Sequence, residues 1–97
     1  MIRTLANKAT AAVFHGHFVY TLPIPIQQAA RRKLDMLDAA ASLTDLLASP
    51  ANRLGPMRGR HRGHWHLRVD SGWQVQFRYA NDGAWDVAIA ACDPEDE

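Results

Sequence analysis

Two periodicities divide the chain. Ile26, Ala30, Leu34, Leu37 and Ala41 recur at three- and four-residue steps, which predicts one long helix from Ile26 to about Ala41 with a single apolar stripe. Beyond Asn52 the period falls to two. Trp65, Leu67 and Val69 alternate with His64, His66 and Arg68, and Trp73, Val75, Phe77 and Tyr79 alternate with Gln74, Gln76 and Arg78. Each run predicts a strand with one apolar and one polar face. Asp70-Ser71-Gly72 has the length and glycine of a hairpin loop, and Asn81-Asp82-Gly83 leads into a third strand in which Trp85, Val87 and Ile89 alternate. The apolar face of this antiparallel sheet must be covered, and the N-terminal helical segments are the candidates for covering it.

Shorter signals fill the remainder. Met1 to Leu5 has the isoleucine and threonine of a short strand, and Asn7 can cap a helix over Lys8 to Phe14. His15-Gly16-His17 breaks that helix. Pro23 and Pro25 enforce an extended approach to the long helix, with Pro25 suited to a first helical position. Ser42-Leu43-Thr44-Asp45 has the form of a capping box for a helical turn over Leu43 to Ala48, which Ser49-Pro50-Ala51-Asn52 ends. The fold class expected from the pattern is α+β in a single domain spanning residues 1–97.

Composition narrows the function classes. A chain of 97 residues supports one compact core that buries roughly 60–65% of the unfolded surface. No apolar run approaches a bilayer span, and the first residues lack a continuous apolar signal segment, so a cytoplasmic protein without membrane contact is expected. Cys92 is a lone cysteine, which excludes an intramolecular disulfide framework and agrees with a reducing compartment. The formal net charge of +1 conceals a segregation: residues 53–68 carry only positive charge, whereas Asp82, Asp86, Asp93, Glu95, Asp96 and Glu97 dominate the end. That separation creates a local positive field. The terminal Asp93-Pro94-Glu95-Asp96-Glu97 reads as a disordered solubilising tail.

The cationic stretch and the polar strand faces define the candidate chemistry. Arg53, Arg58, Arg60, Arg62 and Arg68 precede the next carboxylate, Asp70, and His61, His64 and His66 are interleaved among them. If helices cover the tryptophan side, His64, His66, Arg68, Gln74, Gln76 and Arg78 project together from the other. Guanidinium groups grip phosphate bidentately, and Gln and His hydrogen-bond base edges or a ribose hydroxyl. RNA is one ligand for such a face and an acidic protein surface is the other. RNA cleavage by attack of the 2′-hydroxyl needs a proton acceptor, cations for the pentavalent phosphate and a proton donor for the leaving oxygen. His61, His64 or His66 can exchange protons near neutral pH, and Arg58 or Arg78 can stabilise the charge. No metal and no other cofactor is expected, because His64-x-His66 offers two ligands and zinc takes three or four.

Several segments resemble, in order, the HigB branch of the RelE-like toxins. They are Arg32-Lys33-Leu34-Asp35-Met36-Leu37-Asp38-Ala39-Ala40, Ser49-Pro50-Ala51-Asn52-Arg53-Leu54 and Gly72-Trp73-Gln74-Val75-Gln76-Phe77-Arg78, joined by Met1-Ile2-Arg3-Thr4 and Asp86-Val87-Ala88-Ile89. The resemblance implies a RelE-like fold, a curved antiparallel sheet of about four to five strands with two helices packed on one face. It further implies a toxin of a type II toxin-antitoxin system that cuts messenger RNA on the ribosome. Its partner would be a helix-turn-helix antitoxin of the HigA type, with operator DNA reached only through that complex. The residues of this chain expected to carry catalysis, taken from the cationic stretch and the polar strand face, are Arg58, Arg78, His64 and His66, and those expected to bind RNA are Arg53, Arg60, His61, Arg62, Arg68, Gln74 and Gln76; of these the resemblance itself carries over Arg58. The chain departs from the family where Gln74 replaces an arginine, Gly55 replaces a His or Glu, and Ala91-Cys92-Asp93 stands for Asp-Tyr-His; Arg58 keeps the cation of a usual lysine. Two alternatives remain open on the same fold: a nuclease-inactive toxin acting on another target, as the ParE toxins act on DNA gyrase, and a module that binds antitoxin without toxicity.

Overall fold

The Asn7 side chain starts the first helix. Its Oδ1 accepts the Thr10 N–H at 2.8 Å, satisfying one of the amides a helix start leaves open, and α1 runs over Lys8–Phe14 as the sequence predicts. The computed structural model describes residues 1–70, 72–81 and 83–92, the Arg60 side chain excepted; the acidic tail therefore lies outside the described residues. α2 covers Ile24–Ala39, two residues earlier at both ends than the periodicity alone predicts. Pro23 holds the extended N-cap conformation, and Pro25 sits in the first turn where no N–H is required. The approach to α2 is fixed by Gln27, whose buried amide accepts from Val19 N at 3.0 Å and donates to Val19 O and Leu22 O, each at 2.7 Å.

α3 is the short helix Leu43–Leu47. Its capping box forms only in part: the Ser42 hydroxyl makes no cap bond, while Asp45 Oδ2 accepts from Ala41 N at 2.8 Å, one residue further back than the motif requires. A 3-10 turn, Pro50–Asn52, follows. Asn52 is fully buried and satisfied, donating to Leu46 O and accepting from Lys33 Nζ, so it ties α2, α3 and this turn together.

The sheet has the order β1-β2-β3-β4, antiparallel throughout, with β1 Gly55–Pro56, β2 His64–Arg68, β3 Trp73–Ala80 and β4 Gly83–Ala91. The two-residue β1 has no signal in the hydrophobic pattern. It opens a hairpin closed by Met57 N donating to His64 O at 2.8 Å, with a 3-10 turn at Gly59–His61. Between β2 and β3, Asp70 Oδ1 accepts from Gly72 N and Trp73 N, an Asx-type turn. The expected N-terminal strand is reduced to two isolated parallel bridges, Ile2 to Ala84 and Leu5 to Val87, along the outer edge of β4. This segment still caps that edge, through Arg3 N to Ala84 O and Ala6 N to Val87 O.

One face of the sheet is sealed. Leu67, Val75, Phe77 and Val87 pack with Val13, Leu34, Leu37 and Leu46 in a single core in which none of these residues exceeds 2% exposure. α1 and α2 therefore lie on the apolar face, as the sequence predicts. None of the described helices is long and apolar enough to cross a membrane.

A β-bulge breaks the alternation of β4. Gln76 pairs with Ala88 but Arg78 pairs with Trp85, so β4 spends one residue more than β3 over the same step. The extra residue is Asp86, whose φ of 55° is left-handed. Trp85, expected beside Val87 and Ile89 on the core side, is thereby turned onto the opposite face with Arg78, and Ala84 takes the buried position instead.

Candidate functional site

The face away from the helices is built as cross-strand rows, because residues paired in an antiparallel register stand side by side on one surface. His64 on β2, Arg78 on β3 and Trp85 on β4 form the first row. Gly55, His66, Gln76 and Ala88 form the second, and Arg68, Gln74 and Ala90 the third. The six polar side chains expected on this face are thus together. In the second row the absence of a side chain at Gly55 is filled by its neighbour, since a Cβ there would meet His66 Nε2 at 3.2 Å.

Their exposure differs from expectation. Arg78 is open, whereas His64, His66, Arg68 and Gln76 are partly buried. Gln74, expected to project freely, is only 3% exposed, with Oε1 facing Cys92 Sγ at 3.7 Å and Nε2 without an acceptor among the described residues. It is a covered group rather than a contact surface. Arg58 and Arg62 are exposed at the two ends of the 3-10 turn in the β1–β2 loop. His61, in that turn, sets its ring edge-on to His64 with centroids 6.2 Å apart. Arg53 stands elsewhere: it lines a shallow pocket with Leu47, Ser49, Pro50 and Leu54 at the α3 corner.

Arg78 is held from two sides. Its Nε donates to Asp86 Oδ2 at 3.1 Å, and its Cζ lies 6.0 Å from the centre of the Trp85 ring, within reach of a cation–π attraction. Asp86 is itself held from the N-terminal segment, with Asp86 N donating to Thr4 Oγ1 at 2.7 Å and that hydroxyl donating to Asp86 Oδ1 at 3.5 Å. Thr4, Asp86 and Trp85 were not legible as site residues because a bulge and a contact across most of the chain bring them here. Thr4→Val should cost about 1 kcal/mol by removing the hydrogen bond that anchors the exposed Asp86 amide, a Tm lower by about 4–8 °C. Asp86→Gly should keep the fold, since glycine accepts the left-handed φ, while releasing Arg78. Thermal unfolding of the two variants checks both expectations, and a destabilised glycine variant would show that the carboxylate, not the backbone, holds the bulge.

Chemically, this face joins a tethered guanidinium to an imidazole on the adjacent strand, with a second imidazole two residues along. Those two histidines on one strand face are about 7 Å apart at the backbone, enough to flank a phosphate. His64 Nδ1 is buried with no hydrogen bond among the described residues. No three His, Cys, Asp or Glu side chains among the described residues are grouped as metal ligands.

The profile of a family described as RelE-like toxin of type II toxin-antitoxin system HigB matches residues 15–91. The chain belongs to the HigB-like toxins. Toxin HigB-1 of Vibrio cholerae serotype O1 is 33% identical over 60 residues, which cover 62% of this chain and 63% of that protein. Endoribonuclease HigB of Proteus vulgaris is 22% identical over 85 residues, covering 88% of this chain and 91% of that protein. The α+β architecture, helices on one side of an antiparallel sheet, is that of a RelE-like HigB toxin, and the matched stretch contains every strand of the sheet.

Proposed function

We propose that this HigB-like protein is a metal-independent endoribonuclease that cuts messenger RNA on the ribosome and is neutralised by a helix-turn-helix antitoxin of the HigA type. The observation that carries the reading is the row of His64 and Arg78 on the uncovered sheet face, continued by His66 in the next row. Membership of a toxin-antitoxin family supports a dedicated protein inhibitor, and the name of the Proteus vulgaris relative supports RNA as substrate. In the reaction, one imidazole takes the proton of the 2′-hydroxyl as that oxygen bonds to phosphorus. The bond from phosphorus to the 5′-oxygen breaks, and the second imidazole protonates the departing oxygen. His64 and His66 carry these two roles, and the Arg78 guanidinium neutralises the pentavalent phosphate. Arg58 and Arg62, exposed in the adjoining loop, hold the flanking backbone, with Arg60 beside them in sequence; Arg68 and Gln76 extend the surface along the message. Because substrate and ribosome are cytoplasmic, so is the protein.

Induced expression followed by mapping of messenger 5′ ends tests this. Translated messages should acquire cuts within codons that carry 5′-hydroxyl ends, and untranslated RNAs should stay whole. Arrested growth with intact messages would overturn the nuclease reading in favour of a different cellular target, and unimpeded growth would leave an antitoxin-binding module.

A further inference from the structure

The bulge of β4 has an effect that the cleavage chemistry does not use. A strictly alternating strand would have placed Trp85 in the core; the left-handed Asp86 turns it out beside Arg78. An indole on the uncovered face forgoes burial in the core. Here it is nevertheless held in place, with Nε1 donating to Ala80 O at 3.0 Å and the Arg78 guanidinium alongside its ring. The next residues of β4 on the same face are Ala88 and Ala90, whose methyl groups are too short to overhang it. A second cation stands further along the strand, at Gly83. Gly83, two residues before Trp85 on that face, has no side chain, and the space is taken by Arg3: a Cβ at Gly83 would meet Arg3 Cγ at 2.5 Å and Nε at 2.7 Å.

We propose that Trp85 is the floor of a nucleotide subsite of single-stranded RNA, in which a nucleobase stacks against the indole and Arg3 takes the neighbouring phosphate. The inference rests on the endoribonuclease reading and deepens it. The His64–Arg78–Trp85 row sets the reacting phosphate over Arg78 and a base next to it over Trp85. Stacking accepts any base, because every base presents a π face, so the subsite grips the message without selecting its sequence. A fixed aromatic ring with one guanidinium beside it and a second at Gly83, two residues back on the strand, is suited to a base flanked by phosphates.

Binding of a labelled oligouridylate, and of the same ribose-phosphate chain lacking bases, tests the subsite at low salt. Trp85→Phe keeps a ring and should bind the oligouridylate within about threefold of the parent, whereas Trp85→Leu keeps apolar bulk without a π face and should bind about tenfold more weakly. On the chain lacking bases the three proteins should bind alike. Arg3→Gln should make the dependence of log K on log salt shallower by about 0.7, one phosphate contact on a single strand; an unchanged slope removes Arg3 from the subsite. Thermal unfolding verifies that each variant is folded, and the phenylalanine variant keeps the test decisive should the leucine variant be unstable, since an equal loss in both would overturn stacking. If Trp85→Leu matches the parent on oligouridylate, or loses as much on the chain lacking bases, the subsite falls while RNA binding stands. If the parent binds neither oligomer, the subsite falls, while the ribosome-dependent nuclease reading is decided separately by the mapping of messenger 5′ ends.

Discussion

Arg78→Ala is expected to slow cleavage of messenger RNA on programmed ribosomes by about 10²–10³-fold, the loss typical when one preorganised donor to a developing oxyanion is removed. That corresponds to roughly 3–4 kcal/mol of barrier. The thermal midpoint should fall by no more than about 4–8 °C, because the Arg78 to Asp86 ion pair is solvent-exposed on both sides and such pairs contribute about 0–1 kcal/mol. Arg78→Lys separates charge from geometry. Lysine keeps a cation, but it lacks the fork that gives one nitrogen to Asp86 Oδ2 and leaves the others to phosphate, so it should restore only part of the rate. Single-turnover cleavage measures the rates, and growth after induction reports the same order in cells. An alanine variant with full activity would move the phosphate away from the His64 row and return the β1–β2 loop, with Arg58 and Arg62, as the place of cleavage.

What the chain disclosed about itself follows the range of the interactions involved. Asn7 and the stripe from Ile26 to Leu37 act within a few residues, so the two helices were legible. Period-two alternation likewise placed His64, His66, Arg68, Gln74, Gln76 and Arg78 on one face, and the turn at Asp70 and Gly72 set the strand register that makes them neighbours. Three features escaped that logic. An inserted residue leaves no mark on hydropathy, and aspartate at 86 only tolerates a left-handed φ without demanding it, so Trp85 read as a core residue. Gln74 has the polarity of a surface group, and nothing local says that it will be covered and lie against Cys92. The first residues contain strand formers, yet the edge of β4 that they meet is interrupted by the bulge, and only Ile2 and Leu5 form bridges there. The candidate site was therefore legible as far as β2 and β3 determine it. Its fourth strand and its N-terminal support were not, since Thr4 reaches Asp86 only in the folded chain.

Phe77→Ala should have the largest effect on stability, about 3–5 kcal/mol. Phe77 is fully buried at the centre of the core, paired with Trp65 across β2 and packed among Leu67, Val75 and Val87 beneath the helices. A domain of this size has roughly 5–15 kcal/mol in hand, so the loss is a large share of the whole and lowers Tm by roughly 12–40 °C. Phe77→Leu keeps most of the volume and should cost less than about 1.5 kcal/mol. Urea midpoints and near-ultraviolet dichroism measure both, and an alanine variant melting with the parent would show that the helices do not rest on this part of the sheet. The position also divides the two requirements of the fold. Phe77 and Arg78 are consecutive on β3 and point to opposite faces, so one substitution removes the support of the sheet and the next removes its chemistry. Cleavage by the Phe77→Ala protein should return on cooling below its midpoint, as helices reseat on the apolar face and the His64 row re-forms above it, whereas no temperature should restore the Arg78→Ala protein.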